Sequence, residues 1–78
     1  MKTYHTGKTH KNVSYTGYLT DFENGVMSEQ FFKSEETGMR LIREIDFKSS
    51  NLGTASRDMY IRCALSSLIA EEERTKNI

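Results

Sequence analysis

The sequence has little cysteine and histidine, and this scarcity excludes the usual covalent or metal reinforcement of a small fold. Cys63 is the only cysteine among the 78 residues, so no disulfide can form within the chain. A structural zinc site needs four Cys or His ligands, whereas Cys63, His5 and His10 supply three. A domain of this size buries only about 60% of its unfolded surface. We therefore expect a protein partner or self-association, such as a dimer, to supplement its stability.

The sequence also lacks an excess of charge of either sign. Lys and Arg total 11, and Asp and Glu also total 11. A general nucleic-acid-binding protein normally carries a basic surface, and a mimic of DNA would need a strongly acidic one. The balanced charge therefore favours neither class.

Long apolar runs are missing as well. No run approaches the length of a membrane span, and no apolar signal-peptide core lies near the N-terminus. We therefore expect a cytoplasmic protein with no membrane partner, in a compartment where the thiol of Cys63 stays reduced.

Residues 1–11 lack apolar periodicity and are rich in Thr, Lys and His. This composition predicts a flexible basic arm, followed by a single α+β domain over residues 12–78. The arm contains Lys2, Lys8 and Lys11 and no acidic residue. If a nucleic acid bound, these three lysines would be the expected phosphate contacts.

A β-hairpin is predicted after the arm. Residues 13–20 are rich in β-branched and aromatic side chains, and Gly17 within them indicates a bulge. Asn24 and Gly25 are typical of a type I′ turn, which would lead into a return strand over residues 26–32.

A two-residue turn at this place fixes the expected register of the hairpin. Phe22 would then oppose Met27, and Tyr18 would oppose Phe31 on the same face. Both faces of the hairpin carry apolar side chains, and one helix can cover only one face of a sheet. Exposed aromatic residues on the other face would indicate a contact surface.

Residues 39–47 favour a third strand after a loop at residues 34–38. Apolar and polar residues alternate here with period two, and Ile42 and Arg43 interrupt the alternation. The apolar positions are Met39, Leu41, Ile45 and Phe47. The alternative is a helix opened by Ser34 and two glutamates, which would give a ββαα chain.

The C-terminal third predicts one long helix, capped by Thr54 or Ser56 and ending near Thr75. One stripe at helical spacing forms the expected core face: Ile61, Ala64, Leu65, Leu68 and Ile69. A second apolar group lies on the opposite side of the helix: Met59, Cys63 and Ala70. Apolar residues on two sides of a helix indicate a second contact.

Motifs for phosphate binding or acid–base chemistry are incomplete. Gly7-Lys8-Thr9 matches the end of a phosphate-binding loop, but Lys2 stands where that motif needs a glycine. His5 and His10 lie in the predicted arm, where nothing would orient a general base.

Nucleophilic and carboxylate chemistry finds no better support. Cys63 follows Arg62 directly, and adjacent residues on a helix do not face each other. Asp21, Glu23 and Glu29 flank a hairpin that offers no evident cleft to perturb a carboxylate pair. We predict no catalytic residue, no cofactor and no metal ligand.

These observations predict a three-stranded antiparallel meander with one long C-terminal helix on one face. The expected function is a non-enzymatic protein–protein interaction module, of the kind found among small viral or mobile-element regulators and inhibitors that bind a host protein complex. The alternative is a nucleic-acid-binding protein that uses the sheet face and the basic arm. The predicted partner-binding residues are Tyr15, Tyr18, Phe22, Phe31, Met59, Cys63 and Ala70.

Overall fold

Tight connections fold residues 2–48 into a meander of four antiparallel strands, and a helix follows them. The computed structural model describes residues 1–76. The strands pair in the order β1-β2-β3-β4, and the helix α1 packs on one face of the sheet. The elements in chain order are β1 (Lys2–His10), β2 (Val13–Asp21), β3 (Val26–Glu35), β4 (Gly38–Lys48), a 3₁₀ turn (Ser49–Leu52) and α1 (Arg57–Lys76).

The prediction of three strands is wrong, because the segment expected to be a flexible arm is the first strand. β1 pairs with β2 along its whole length. Lys11 and Asn12 connect the two strands with φ values of 51° and 67°, which a type I′ turn requires at both central positions. Thr is a good strand former even without apolar periodicity, and this explains why a search for apolar patterns misses β1.

The connection between β2 and β3 is longer than the predicted two-residue turn. Asp21 opposes Met27, so residues 22–25 bridge the strands. The Glu23 amide donates a 2.8 Å hydrogen bond to Oδ1 of Asp21, and Glu23 has a φ of 61°. The amide of Phe22 donates to the carbonyl of Val26 at 3.2 Å. The Asp21 side chain thus stabilises a wider loop, to which Asn24-Gly25 contributes only the second half.

This wider loop changes which aromatic residues share a face. Tyr18 opposes Gln30, and Gly17 opposes Phe31. A register shift of one residue moves a side chain to the other face of the sheet. Tyr18 and Phe31 therefore lie on opposite faces, and the predicted pairing of the two is wrong.

The strand predicted over residues 39–47 is confirmed as β4, and the ββαα alternative is wrong. Phe31 opposes Arg43 and Phe32 opposes Leu41, so Ile42 is an extra residue in a β-bulge. The interruption of the sequence alternation at Ile42 and Arg43 marks the position of this bulge.

The core lies between α1 and one face of the central strands. The predicted core stripe of the helix is confirmed, with Ala64 partly buried at its margin. The buried apolar residues are Tyr15, Leu19, Met27, Phe31, Ile61, Leu65, Leu68 and Ile69. No bulge occurs at Gly17. Instead, the Phe31 ring packs closely against Gly17, and a Cβ at this position would lie only 3.0 Å from Cε1 of Phe31.

Both ends of α1 are fixed by polar contacts. The hydroxyl of Ser56 accepts a 3.3 Å hydrogen bond from the Met59 amide, which confirms Ser56 as the cap. Near the other end, three consecutive glutamates each pair with a cation from a different part of the sheet: Glu71 with Arg43 of β4 at 3.0 Å, Glu72 with Lys33 of β3 at 3.5 Å, and Glu73 with Lys11 after β1 at 2.9 Å.

Candidate interaction surface

β4, one of the two edge strands of the sheet, carries more exposed apolar surface than the other strands. β4 ends the strand order, so one side of its backbone pairs with no other strand of residues 1–76. Met39, Leu41 and Ile45 are 53%, 45% and 42% exposed. Long edge strands with apolar side chains are templates for pairing with another chain.

The bulge at Ile42 explains why these side chains are not all buried. Before the bulge, Met39 and Leu41 point to the face that α1 does not cover, which we call the open face. After it, Ile45 and Phe47 oppose Glu29 and Met27 and point to the helix side. A strand whose apolar residues change faces cannot bury all of them against one helix.

The opposite edge of the sheet is built differently. The exposed side chains of β1 are polar or charged: Lys2, Thr3, His5, Lys8 and Thr9. Both edge strands carry charged side chains, which disfavour the addition of another strand, but of the two only β4 also exposes Met39, Leu41 and Ile45. β4 is therefore the edge suited to an apolar contact.

A row of apolar and aromatic side chains crosses the open face and ends at β4. The rings of His5 and Tyr18 stack with centroids 5.8 Å apart, and Tyr18 meets Phe32 edge-to-face at 5.8 Å. Phe32 opposes Leu41. We call these four residues the cross-sheet row. The row is surrounded mostly by Thr and Ser side chains. Every second residue of β1, β2 and β3 points to this face, and many of these residues are Thr or Ser.

A cleft of about 340 Å³ adjoins β4 on the helix side. The ion pair between Arg43 and Glu71 joins two of its walls. Its lining residues are Ile42, Arg43, Leu68, Glu71, Glu72 and Thr75. The cleft extends the accessible surface of β4 toward α1.

The lysines predicted to contact phosphate do not lie beside the cross-sheet row. By the register of β1, Lys2 and Lys8 point to the helix side, since Tyr4 between them opposes the buried Leu19. Lys11 forms an ion pair with Glu73 of α1. These three lysines and the stacked rings of His5 and Tyr18 therefore lie on opposite sides of the sheet.

Two of the predicted partner-binding residues belong to the core. Tyr15 is 3% exposed and Phe31 is 1% exposed, because both point toward α1. Tyr18, with 37% exposure, remains on the open face. The corrected hairpin register accounts for this separation.

The other predicted partner-binding residues are exposed but scattered. Phe22 lies in the loop after β2 and is exposed. Met59, Cys63 and Ala70 are exposed on α1, which is separated from the open face by the sheet. The structure therefore does not join them to Tyr18 in one surface.

The candidate chemical groups do not converge. His5 stacks on the open face, whereas Nε2 of His10 lies 3.1 Å from Oε1 of Glu73 on the helix side. Cys63 is exposed on α1. Within residues 1–76, no group of three His, Cys, Asp or Glu side chains is arranged to hold a metal ion.

Glu29 is the buried charged residue of the core region, with 6% exposure. Its Oε2 accepts a 2.7 Å hydrogen bond from the hydroxyl of Tyr60. Burial, together with the adjacent carboxylate, raises the pKa of Tyr60 to about 12. The Tyr60 phenol therefore stays protonated, and donates to Glu29, well above neutral pH.

Comparisons of the chain with protein-family models, with curated proteins and with solved structures found no match. In the part of the chain that the structure describes, neither helix combines the length and apolar character needed to cross a membrane.

Sequence reasoning selected Tyr18 as a contact residue, but neither the rest of the cross-sheet row nor β4. A usable signal was present in the interrupted alternation at Ile42 and Arg43. If one residue there is extra, Met39 and Leu41 point to one face of the sheet, and Ile45 and Phe47 point to the other. The predicted three-stranded meander also has this strand at an edge, but which side chains it exposes on each face depends on the bulge at Ile42.

Proposed function

We propose that this chain is a non-enzymatic protein-interaction module that binds a protein partner through β4 and the adjoining end of the open face. The observation that carries this proposal is the exposure of Met39, Leu41 and Ile45 on an edge strand. The apolar surface of Met39 and Leu41 adjoins Phe32 and Tyr18 of the cross-sheet row on the open face, whereas Ile45 lies on the helix side of the same strand. Contiguous exposed apolar surface of this kind marks interaction sites.

The distribution of charge favours a protein partner over a nucleic acid. Single-stranded nucleic acids bind where aromatic side chains lie within a basic groove. On the open face, β4 instead places Glu44 and Asp46 near the cross-sheet row, since they oppose Gln30 and Ser28. Phosphate groups would be repelled by these carboxylates.

The scattered positions of the candidate chemical groups support a non-enzymatic role. A nucleophile and its base must lie within hydrogen-bonding reach of each other. His10 instead forms a 3.1 Å hydrogen bond with Glu73 that joins β1 to α1, and Glu29 supports the packing of Tyr60. A cytoplasmic location belongs to the same proposal, since the exposed thiol of Cys63 resists oxidation best in a reducing compartment.

Site-specific photo-crosslinking in an extract of the native cell tests the proposal. The photoreactive residue p-benzoylphenylalanine replaces Leu41 in one protein and Ser66, on the exposed side of α1, in the control. We expect a discrete protein adduct from position 41 and none from position 66. The Ile45→Lys change in the first protein should abolish the adduct, because a charge on an edge strand opposes docking.

Three results would contradict the proposal. These are equal adducts from both positions, adducts to nucleic acid rather than protein, and adducts that persist with Ile45→Lys. Amide NMR spectra of each variant, recorded beforehand, establish that the sheet and helix are retained.

A further inference from the structure

We infer that the partner contributes an extended segment that pairs with β4 as a fifth strand, and that this segment alternates basic residues with apolar ones. This inference rests on the proposed function and specifies how the partner binds and what chemistry it presents. The occupant is a segment of a different protein, not a second copy of this chain.

The geometry of β4 favours addition of a strand after the bulge. Residues 43–48 pair regularly with β3, and they extend over about 20 Å at the rise of an antiparallel strand. A strand of typical length is five or six residues. The bulge at Ile42 disturbs the ladder, so the added strand would pair chiefly with residues 43–48.

The apolar positions of the added strand follow from the side chains that point to the helix side. Ile45 and Phe47 are on this side, and Ile45 is 42% exposed. In an antiparallel or a parallel pairing, neighbouring residues on adjacent strands share a face. Residues of the partner beside Ile45 and Phe47 should therefore be apolar, so that they cover these two side chains.

The basic positions follow from the charges on the other face of β4. Arg40 pairs with Glu35 at 3.1 Å, and Arg43 pairs with Glu71 at 3.0 Å. Both arginines of the strand are thus neutralised within the chain. Lys48, the last residue of β4, lies on the same face as Glu44 and Asp46, so the basic residues of the added strand are those that face these two carboxylates. Among the described residues, no Lys or Arg forms an ion pair with Glu44 or Asp46.

Glu44 and Asp46 are two positions apart and point to the open face. The amide side chain of Gln30 donates a hydrogen bond to Glu44, which leaves its charge in place. A partner residue on each side of the one that covers Ile45 would face these carboxylates. Lys or Arg at those positions gives opposite charges across the strand pair, a favourable cross-strand arrangement.

A second copy of the chain does not provide this complement. Centring an antiparallel β4 pair on Ile45 places Glu44 opposite Asp46 of the other copy. Centring it on Asp46 places Glu44 opposite Lys48, but it also places the two Asp46 residues opposite each other. Like charges directly opposite are destabilising. Centring it on Phe47 pairs Asp46 with Lys48, but places Glu44 opposite Ser50, which lies in the 3₁₀ turn outside β4. No such pairing places a cation of β4 opposite both carboxylates.

Binding of synthetic peptides to the whole chain tests the inference. The probe is a fluorescein-labelled peptide of about eight residues, a strand's length, in which Lys and Val alternate. One matched peptide alternates Glu and Val, and another has the composition of the probe with its Lys and Val residues in two blocks. We expect the fluorescence anisotropy to rise on binding only for the peptide in which Lys and Val alternate. In that complex, amide hydrogen exchange of the protein should slow at residues 43–48.

A charge exchange supplies the decisive control. The double variant Glu44→Lys, Asp46→Lys should bind the Lys–Val peptide about tenfold more weakly or worse, and should gain affinity for the Glu–Val peptide. The matched control is the double variant Glu23→Lys, Glu36→Lys, which changes the net charge by the same amount at exposed loop positions. It should leave the preference for the Lys–Val peptide unchanged. Amide NMR spectra confirm that each variant is folded.

Several outcomes would overturn the inference. They are binding of none of the peptides, equal binding of the alternating and block peptides, an unchanged preference in the charge-exchanged variant, and shifts located away from β4. Light scattering that shows a dimer disrupted by Ile45→Lys would make the occupant a second copy. Crosslinking at position 41 to a different protein, together with a failed peptide test, would leave the proposed function standing and refute the added strand.

Discussion

The hydroxyl of Tyr60 on α1 donates a 2.7 Å hydrogen bond to the buried carboxylate of Glu29 on β3. The Tyr60 ring also lies against Phe47 of β4, with centroids 5.8 Å apart. A buried carboxylate is costly unless it accepts a hydrogen bond. Tyr60 therefore connects the first turns of the helix to the two strands that are farthest from β1.

We predict that Tyr60 ionises at a more alkaline pH than an ordinary tyrosine. Burial and Glu29 raise its pKa from 10.0 to about 12. The stabilisation from the neutral phenol is present below pH 10 and is lost as the pH rises toward 12. A titration of tyrosinate absorbance should lose a step near pH 12 in Tyr60→Phe. In Glu29→Gln that step should move to lower pH, and a persistent step in Tyr60→Phe would contradict the assignment.

Gly17 is the position at which the fold is most sensitive to an added methyl group. A Cβ there would lie 3.0 Å from Cε1 of Phe31 and 3.4 Å from Cδ1 of Ile61. Both neighbours are fully buried and cannot move freely. We expect Gly17→Ala to lower the free energy of unfolding by about 1–3 kcal/mol, the usual cost of overpacking, as measured by chemical denaturation.

Gly7 on β1 is the matched control for this substitution. A Cβ there would lie 3.6 Å from the backbone oxygen of Tyr15, an ordinary contact. Gly7→Ala should therefore be neutral or stabilising, since Gly in a strand costs about 0.5–1 kcal/mol relative to Ala. Equal losses for Gly7→Ala and Gly17→Ala would show that the contact with Phe31 is not the cause.

Much of the fold could be predicted because apolar spacing reports burial directly. The α1 core stripe, the strand at residues 39–47 and the Ser56 cap all follow from local patterns that the structure confirms. β1 could not be found in this way. Its pairing is made by backbone groups, and its side chains include Thr and Lys residues that leave no apolar period.

The candidate interaction surface was harder to predict than the fold, because it depends on non-local facts. Whether Tyr18 and Phe31 share a face depends on a loop set by Asp21, and one residue of register decides it. The Asn24-Gly25 pattern is a strong local signal, but it predicts the wrong register here. Whether Leu41 shares a face with Ile45 depends on the bulge, and the broken alternation at Ile42 and Arg43 can be assigned to a bulge only once the pairing with β3 is known.

The assignment of residues 2–10 to β1 predicts different effects at alternate positions. Tyr4 is partly buried against the core, whereas His5 is exposed on the open face. Tyr4→Ser should lower the free energy of unfolding by about 1–2 kcal/mol through lost apolar burial. His5→Ser should cost less, about 0.2–1 kcal/mol, the size of one cross-strand pair. Thermal and denaturant unfolding that is unchanged by both substitutions would instead indicate a flexible arm.

The three glutamates near the end of α1 are placed where a helix macrodipole disfavours negative charge. The cations of the sheet offset this, since each carboxylate is within 3.5 Å of a basic side chain. Glu73 has two such partners, with Lys11 at 2.9 Å and His10 at 3.1 Å. These contacts join the turn between β1 and β2 to the helix.

We predict that Glu73 makes the stability of the protein depend on acid. Its hydrogen bond with Lys11, aided by His10, lowers the pKa of Glu73 below 4.5. A carboxyl group with a lowered pKa contributes stability above its unfolded pKa and loses it as the pH falls through the folded value. Glu73→Gln should therefore have a lower thermal midpoint than the parent at pH above 4.5, and the difference should shrink in more acidic solution.

Lys11→Met should reproduce most of this behaviour, because it removes the first partner of the Glu73 carboxylate. Glu36→Gln, in an exposed turn, should not. A difference between Glu73→Gln and the parent that stays constant from neutral to acidic pH would show that the ion pair does not stabilise the fold.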